Sequence, residues 1–353
     1  MNLDMEKLQA LLGKMVGDMG ASASAALVVL GDNLGLFAAV AEAGPADSAG
    51  VAAASGVDER YVREWLSCMA ASGYVEYDPA TENFSMLPEQ VAVFAQPDSP
   101  AVLTGGFQAV ASLFVDEPKV RDAFRTGKGL GWGDHSSCLF CGTERFFRPG
   151  YEANLVNEWI PALSGDVRGK LEQGARVADV GCGHGCSTAI MAKAFPNSHF
   201  VGYDVHAPSI DAAREIAAKE GLTNISFEQA SAKDYPGSDY DLVAFFDCLH
   251  DMGDPEGAAK HVRSTLKDDG TWMLVEPMAG DSLAENLNPV GRLYYAFSTM
   301  ICVPASKDQE VGLALGAQAG ERRIGEVVTG GGAFSEFRRA AETPFNLILE
   351  ARI

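Results

Sequence analysis

Three stretches of this 353-residue chain carry residues whose type and spacing could do chemistry. The first is Gly181-Cys182-Gly183-His184-Gly185, between a short β-branched run, Arg176–Val180, and a helical pattern over Ser187–Phe195 that Pro196 stops. A strand, a glycine turn and a helix bring backbone close to a ligand at the helix amino terminus. The spacing G-x-G-x-G differs from the dinucleotide fingerprint G-x-G-x-x-G, so no pyrophosphate cradle is expected. The second is Asp204, at the end of the strand His199–Tyr203 and 23 residues beyond Gly181. A carboxylate there can accept hydrogen bonds from both hydroxyls of a ribose, or it can cap the helix that follows. The third is Phe246-Asp247-Cys248-Leu249-His250-Asp251, at the carboxyl end of another strand, where α/β proteins collect functional groups. His250 is the candidate general base there, with a purely positional histidine as the alternative.

These residues need a scaffold, and the pattern from Ala175 onward supplies one. Strands alternate with helices: Arg176–Val180, His199–Tyr203, Asn224–Ala230, Asp241–Phe246 and Thr271–Glu276. Asp254 is placed to cap a helix with Pro255 in its first turn, running to about Lys267 and ended by Gly270. Phe337–Ala341 and Phe345–Ala351 read as a closing antiparallel pair. Residues 277–330 exceed what a crossover needs, and Pro289–Met300 reads as a helix with an aromatic face. Arg292 and Tyr295 on that helix, with Phe147 and Tyr151 upstream, could roof an acceptor pocket; core packing or a dimer contact is the other reading.

Val177-Ala-Asp-Val-Gly-Cys-Gly-His-Gly185 followed by Val201-Gly-Tyr-Asp204 resembles the first two motifs of class I S-adenosylmethionine (SAM)-dependent methyltransferases. With the amino-terminal module described below, the chain is most similar to small-molecule O-methyltransferases with a winged-helix dimerisation domain, including uncharacterised actinobacterial members. The resemblance implies an α/β, Rossmann-like seven-stranded sheet of order 3-2-1-4-5-7-6 and SAM as cofactor, with S-adenosylhomocysteine as product. It implies that Asp179, Gly181, Gly183 and Gly185 border the methionine end of the cofactor and Asp204 its ribose. Ser231 and Ala232 fall at the adenine-contacting position, although the family often has an acidic residue where Ser231 stands, and Asp247 would approach the same cofactor edge. Leu249-His250-Asp251 resembles the catalytic segment of plant-type O-methyltransferases, whose histidine deprotonates the acceptor hydroxyl; Glu276 and Glu321 match the carboxylates that orient it. Transfer to nitrogen or carbon on the same fold remains open, and a SAM-sensing regulator or an NAD dehydrogenase is a rival reading.

Upstream, residues 2–17 carry apolar residues at helical spacing, and residues 24–95 read as helices followed by a hairpin, the order of a winged helix-turn-helix. Residues 1–100 hold 14 Asp/Glu against 4 Lys/Arg, a net of −10, and the whole chain carries −21. Such a surface repels phosphates, so a dimerisation scaffold is expected rather than a nucleic-acid reader. The organisation expected is therefore residues 1–100 as a dimerisation domain, 101–165 as connecting helices capping the active site, and 166–353 as the catalytic domain. The partners expected are a small-molecule acceptor and a second copy. No apolar run reaches the roughly 18 residues of a membrane span, and Met1-Asn2-Leu3-Asp4 lacks the start of a signal peptide, which suggests a soluble, cytoplasmic protein. The seven cysteines read as free thiols. Cys138 and Cys141 form one C-x-x-C with no second pair, and the histidines show no ligand spacing, so no metal is expected.

Overall fold

The computed structural model describes residues 3–353, which divide into two compact units. The start of the helix expected over residues 2–17 lies outside the described residues. The first unit comprises the described residues up to Phe114 together with Ser137–Pro149; the second comprises Val115–Ser136 and Gly150–Ile353.

In the first unit, Asp4 accepts from the backbone N–H groups of Glu6 and Lys7 and starts a helix over Met5–Asn33. It runs well past residue 17, because the Ala-rich stretch after it contains no proline and alanine has the highest helix propensity. Only its last third is fastened down, through Ser24, Ala25, Val28 and Gly31. Trp65 donates its indole N–H to the Leu27 carbonyl at 2.9 Å. The helices Leu36–Ala43, Ser48–Ser55 and Glu59–Ala71 follow, then a two-stranded wing of β1 (Glu76–Asp78) and β2 (Asn83–Ser85). Their core centres on Phe37, with Trp65 edge-on and Phe94 stacked on it.

The second unit is built on seven strands: β3 (Arg176–Val180), β4 (His199–Asp204), β5 (Ile225–Gln229), β6 (Tyr240–Phe246), β7 (Leu266–Pro277), β8 (Glu336–Glu342) and β9 (Asn346–Arg352). They lie in the order β5-β4-β3-β6-β7-β9-β8, which, counted within the unit, is the expected 3-2-1-4-5-7-6. The first five are parallel, and β9 inserts antiparallel between β7 and β8. Every residue of β6 is buried, as a parallel strand covered on both faces requires. Most strand boundaries fall within a residue of the sequence pattern, but one differs by more. The helix Pro255–Thr265 stops early, and β7 begins at Leu266 rather than Thr271 because Leu266 pairs with Tyr240 across a bulge.

Two helices of this unit widen to π geometry, at Leu155–Trp159 and Ser298–Cys302. In each, a proline (Pro161, Pro304) follows two residues after the wide turn and can donate no backbone hydrogen bond of its own. Among the described residues no single helix is long and apolar enough to cross a membrane.

Candidate active site

The carboxyl ends of β3, β4, β6 and β7 converge with the polar groups that follow them. The glycine loop leaves β3 with the N–H groups of Gly181 and Cys182 donating to the Tyr203 carbonyl at 2.7 and 3.0 Å, which ties the loop to the end of β4. Gly183 and Gly185 both take positive φ, 52° and 75°. At Gly185 an added Cβ would stand 2.5 Å from the Phe227 ring, whereas at Gly183 it would meet nothing within 4 Å. The two glycines therefore do different work: Gly185 admits close packing under the helix Cys186–Ala194, and Gly183 faces open space.

Two aspartates frame this loop. Asp204 accepts from Gly183 N–H at 2.9 Å and from His206 N–H at 2.8 Å, one oxygen each; burial raises its pKa. Asp179 is fully buried in β3, and its Oδ2 accepts from the hydroxyls of Ser187 (2.7 Å) and Thr188 (2.6 Å). Its Oδ1 has no hydrogen-bond partner among the described residues. Burial pushes the Asp179 carboxyl up to about 6, against the two hydroxyl bonds that lower it.

Beyond β6 the chain turns through Asp247 at φ 50°, a strained conformation for a non-glycine residue. Its carboxylate accepts from Tyr151 Oη at 2.6 Å and Asn346 Nδ2 at 2.9 Å, and burial pushes it up to about 8. Three residues later His250 sets Nδ1 2.6 Å from Glu276 Oε2, while Glu276 Oε1 accepts from Leu249 N–H at 3.1 Å. Both side chains are buried. A carboxylate only accepts, so Nδ1 carries a proton in either state of the ring, and Nε2 is the nitrogen that gains or loses the second one. Nε2 lies 3.3 Å from Asp251 Oδ1, and the buried Cys302 places its sulfur within 4.8 Å of ligand atoms of His250 and Asp251. Burial presses the His250 pKa down, but the carboxylates of Asp251 and Glu276 outweigh it and hold the ring well above its usual range. The arrangement can retain a proton on Nδ1 and take one at Nε2.

Residues 171–319 match the methyltransferase-domain family, and residues 22–96 match the Rv2258c-like winged HTH domain. The chain carries a methyltransferase domain. Among curated proteins, the ubiquinone biosynthesis O-methyltransferase of Aeromonas salmonicida is 27% identical over 128 residues, 35% of this chain and 50% of that protein. The chain spans about half the length of the curated relatives it matches. Two solved structures share the fold. An O-methyltransferase family protein from Burkholderia thailandensis has a TM-score of 0.69 at 16% identity, covering 100% of this chain and 99% of that one. Human N-acetylserotonin methyltransferase in complex with SAM gives 0.67 at 17% identity, with the same coverage.

Not every residue singled out in the sequence meets at this end of the methyltransferase sheet. Glu321 is held by Arg339 at 2.6 Å, on the helix Gly320–Thr329 beside β8, and Glu276 is the glutamate that meets His250. Ser231 closes a local turn, its Oγ accepting from Lys233 N–H at 3.1 Å, and Ala232 lies beside it, packed against the sheet core. Arg292 is exposed and Tyr295 half-buried on the helix Pro289–Phe297, whereas their neighbour Tyr294 is buried and donates to the Phe345 carbonyl. Tyr151 packs on Phe246 and bonds Asp247; Phe147 belongs to the first unit and packs edge-on to Phe146. Four participants escaped the sequence reading. Ser187 and Thr188 had a signal, hydroxyls in the first turn after the glycine loop; Asn346 and Cys302 had none.

Proposed function

We propose that this chain is a SAM-dependent methyltransferase that moves a methyl group to a small-molecule acceptor, with a hydroxyl oxygen as nucleophile and His250 as general base. The observation that carries the reading is the buried His250–Glu276 pair at the carboxyl end of β6 and β7, next to the glycine loop of a methyltransferase domain. SAM supplies the methyl group already activated on a sulfonium. The residues present fit it: the buried, partnerless Oδ1 of Asp179 suits a cationic amino group, and Asp204 keeps unused acceptor capacity on both oxygens for ribose hydroxyls. The open space over Gly183 admits a ligand against bare backbone.

Glu276 would hold the imidazole in one tautomer and orientation, and Nε2, in the deprotonated ring that the raised pKa shifts toward alkaline pH, would take the acceptor's proton as its oxygen attacks. A placed base contributes about 10²–10⁴-fold, and alignment of acceptor and methyl carbon roughly 7–11 kcal/mol of the barrier. Asp251, at 3.3 Å from Nε2, is positioned to stabilise the imidazolium that results. The winged-helix domain would serve as a dimerisation scaffold. Its helix Glu59–Ala71 spends its basic charge internally, Arg60 on Glu64 and Arg63 on Glu59, which leaves little for phosphates.

Thermal unfolding with S-adenosylhomocysteine at about a hundred times its Kd tests the cofactor. Binding at that level stabilises by about 2.7 kcal/mol, a rise of roughly 5–10 °C for a domain of this size. A rise with NAD in its place would discard the reading.

A further inference from the structure

The base nitrogen of His250 does not face an empty wall. Asp251 Oδ1 lies 3.3 Å from it, and the buried Cys302 thiol stands close to both residues. One ligand atom from each of these three residues lies within 4.8 Å of the other two. Nitrogen, carboxylate oxygen and sulfur around one point form a ligand set for a borderline divalent cation, and zinc ligands in tetrahedral sites stand roughly 3.5 Å apart.

Two further features favour a cation. Glu276 grips the other ring nitrogen at 2.6 Å, which completes the carboxylate–histidine–metal arrangement that orients metal-binding histidines. Two carboxylates, Glu276 and Asp251, flank a single imidazole, so a divalent ion would offset buried negative charge. The cysteine arrives from a distant part of the chain, at the end of the wide turn Ser298–Cys302 ahead of Pro304, and its sulfur lies within 4.8 Å of ligand atoms of residues 250 and 251.

We propose that His250 Nε2, Asp251 Oδ1 and Cys302 Sγ form a three-ligand site for zinc or a like divalent cation. The ion replaces the thiol proton and the proton that the raised pKa keeps on Nε2, both of which leave to solvent, and forms bonds to sulfur, nitrogen and oxygen; its fourth position stays open for water or an acceptor oxygen. Bound there, it occupies the nitrogen assigned to proton removal and silences methyl transfer. That consequence rests on the role proposed for His250; the binding does not.

The test reads binding alone, on the full chain with the exposed C-x-x-C removed (Cys138→Ser, Cys141→Ser) and cleared of metal by a chelator. Cobalt(II) is titrated as probe, with zinc in competition. The expected result is one ion per chain with a thiolate-to-cobalt absorption band. The band disappears and affinity falls at least about tenfold in Cys302→Ala, and Glu276→Gln weakens binding by about 10–100-fold. Asp251→Asn gives an independent reading should Cys302→Ala fail to fold. Failure to retain an ion, or retention unchanged in both Cys302→Ala and Asp251→Asn, overturns the site. The response to S-adenosylhomocysteine, measured on the same samples, reports the cofactor reading separately.

Discussion

At the scale of single residues, the site depends on titratable groups held away from water. Replacing His250 with Ala is expected to lower kcat by at least about 10²-fold while leaving S-adenosylhomocysteine binding intact, read by isotope transfer from labelled SAM to an acceptor. A near-parental rate would leave His250 only a positional role. Asp247 gives a stability prediction with a definite sign. An unfolded aspartate ionises near pH 4, whereas the folded residue, buried beside Tyr151 and Asn346, holds its proton to about 8. Across that interval the folded chain binds the extra proton, so this contribution to stability is complete below about pH 4 and drains away as the pH rises through about 8. Between pH 5 and 8, urea unfolding should show the parent losing stability relative to Asp247→Asn; parallel curves would refute the shift.

At the scale of elements, the strand–loop–helix unit from β3 through Cys186–Ala194 separates a packing glycine from a binding one. Gly185→Ala adds a Cβ at positive φ against the Phe227 ring and should cost about 2–5 kcal/mol in denaturant unfolding. Gly183→Ala meets no protein atom, so its cost should stay near 1–2 kcal/mol of backbone strain. Its main effect should be weaker S-adenosylhomocysteine binding by calorimetry. If both variants bound equally well, the open space over Gly183 would not be where the ligand sits. The π turns belong to the same scale, because each places a helical side chain that a regular α-turn would rotate elsewhere.

At the scale of the whole molecule, the helix Met5–Asn33 leaves Leu11, Leu12, Met15, Val16 and Met19 exposed along one stripe while only its last third is packed. An apolar stripe of that length marks an interaction surface, and a second copy of the chain is the partner we propose for it. Sedimentation should find a dimer for the parent and a monomer for Leu12→Glu/Val16→Glu, with the far-ultraviolet spectrum unchanged. A parent that sediments as a monomer at micromolar concentration would remove the dimer.

What the sequence determined by itself was local. β-branched runs, glycine turns and helix stops fall within a few residues of one another, so the sheet of the second unit, the wing and the loop before Cys186 could all be read from spacing. The resemblance of two short motifs supplied the strand order, which no local period encodes. The contacts that complete the candidate site were not legible, because they depend on register and on turns between distant segments. Asn346 reaches Asp247 only because β9 pairs antiparallel with β7, setting Asn346 opposite Pro277. Glu321, expected to help orient His250, is drawn instead to Arg339 on β8. Cys302 meets His250 through a wide helical turn 52 residues downstream. Side-chain encounters of that kind are set by how whole elements pack, which is why only the tertiary structure could decide them.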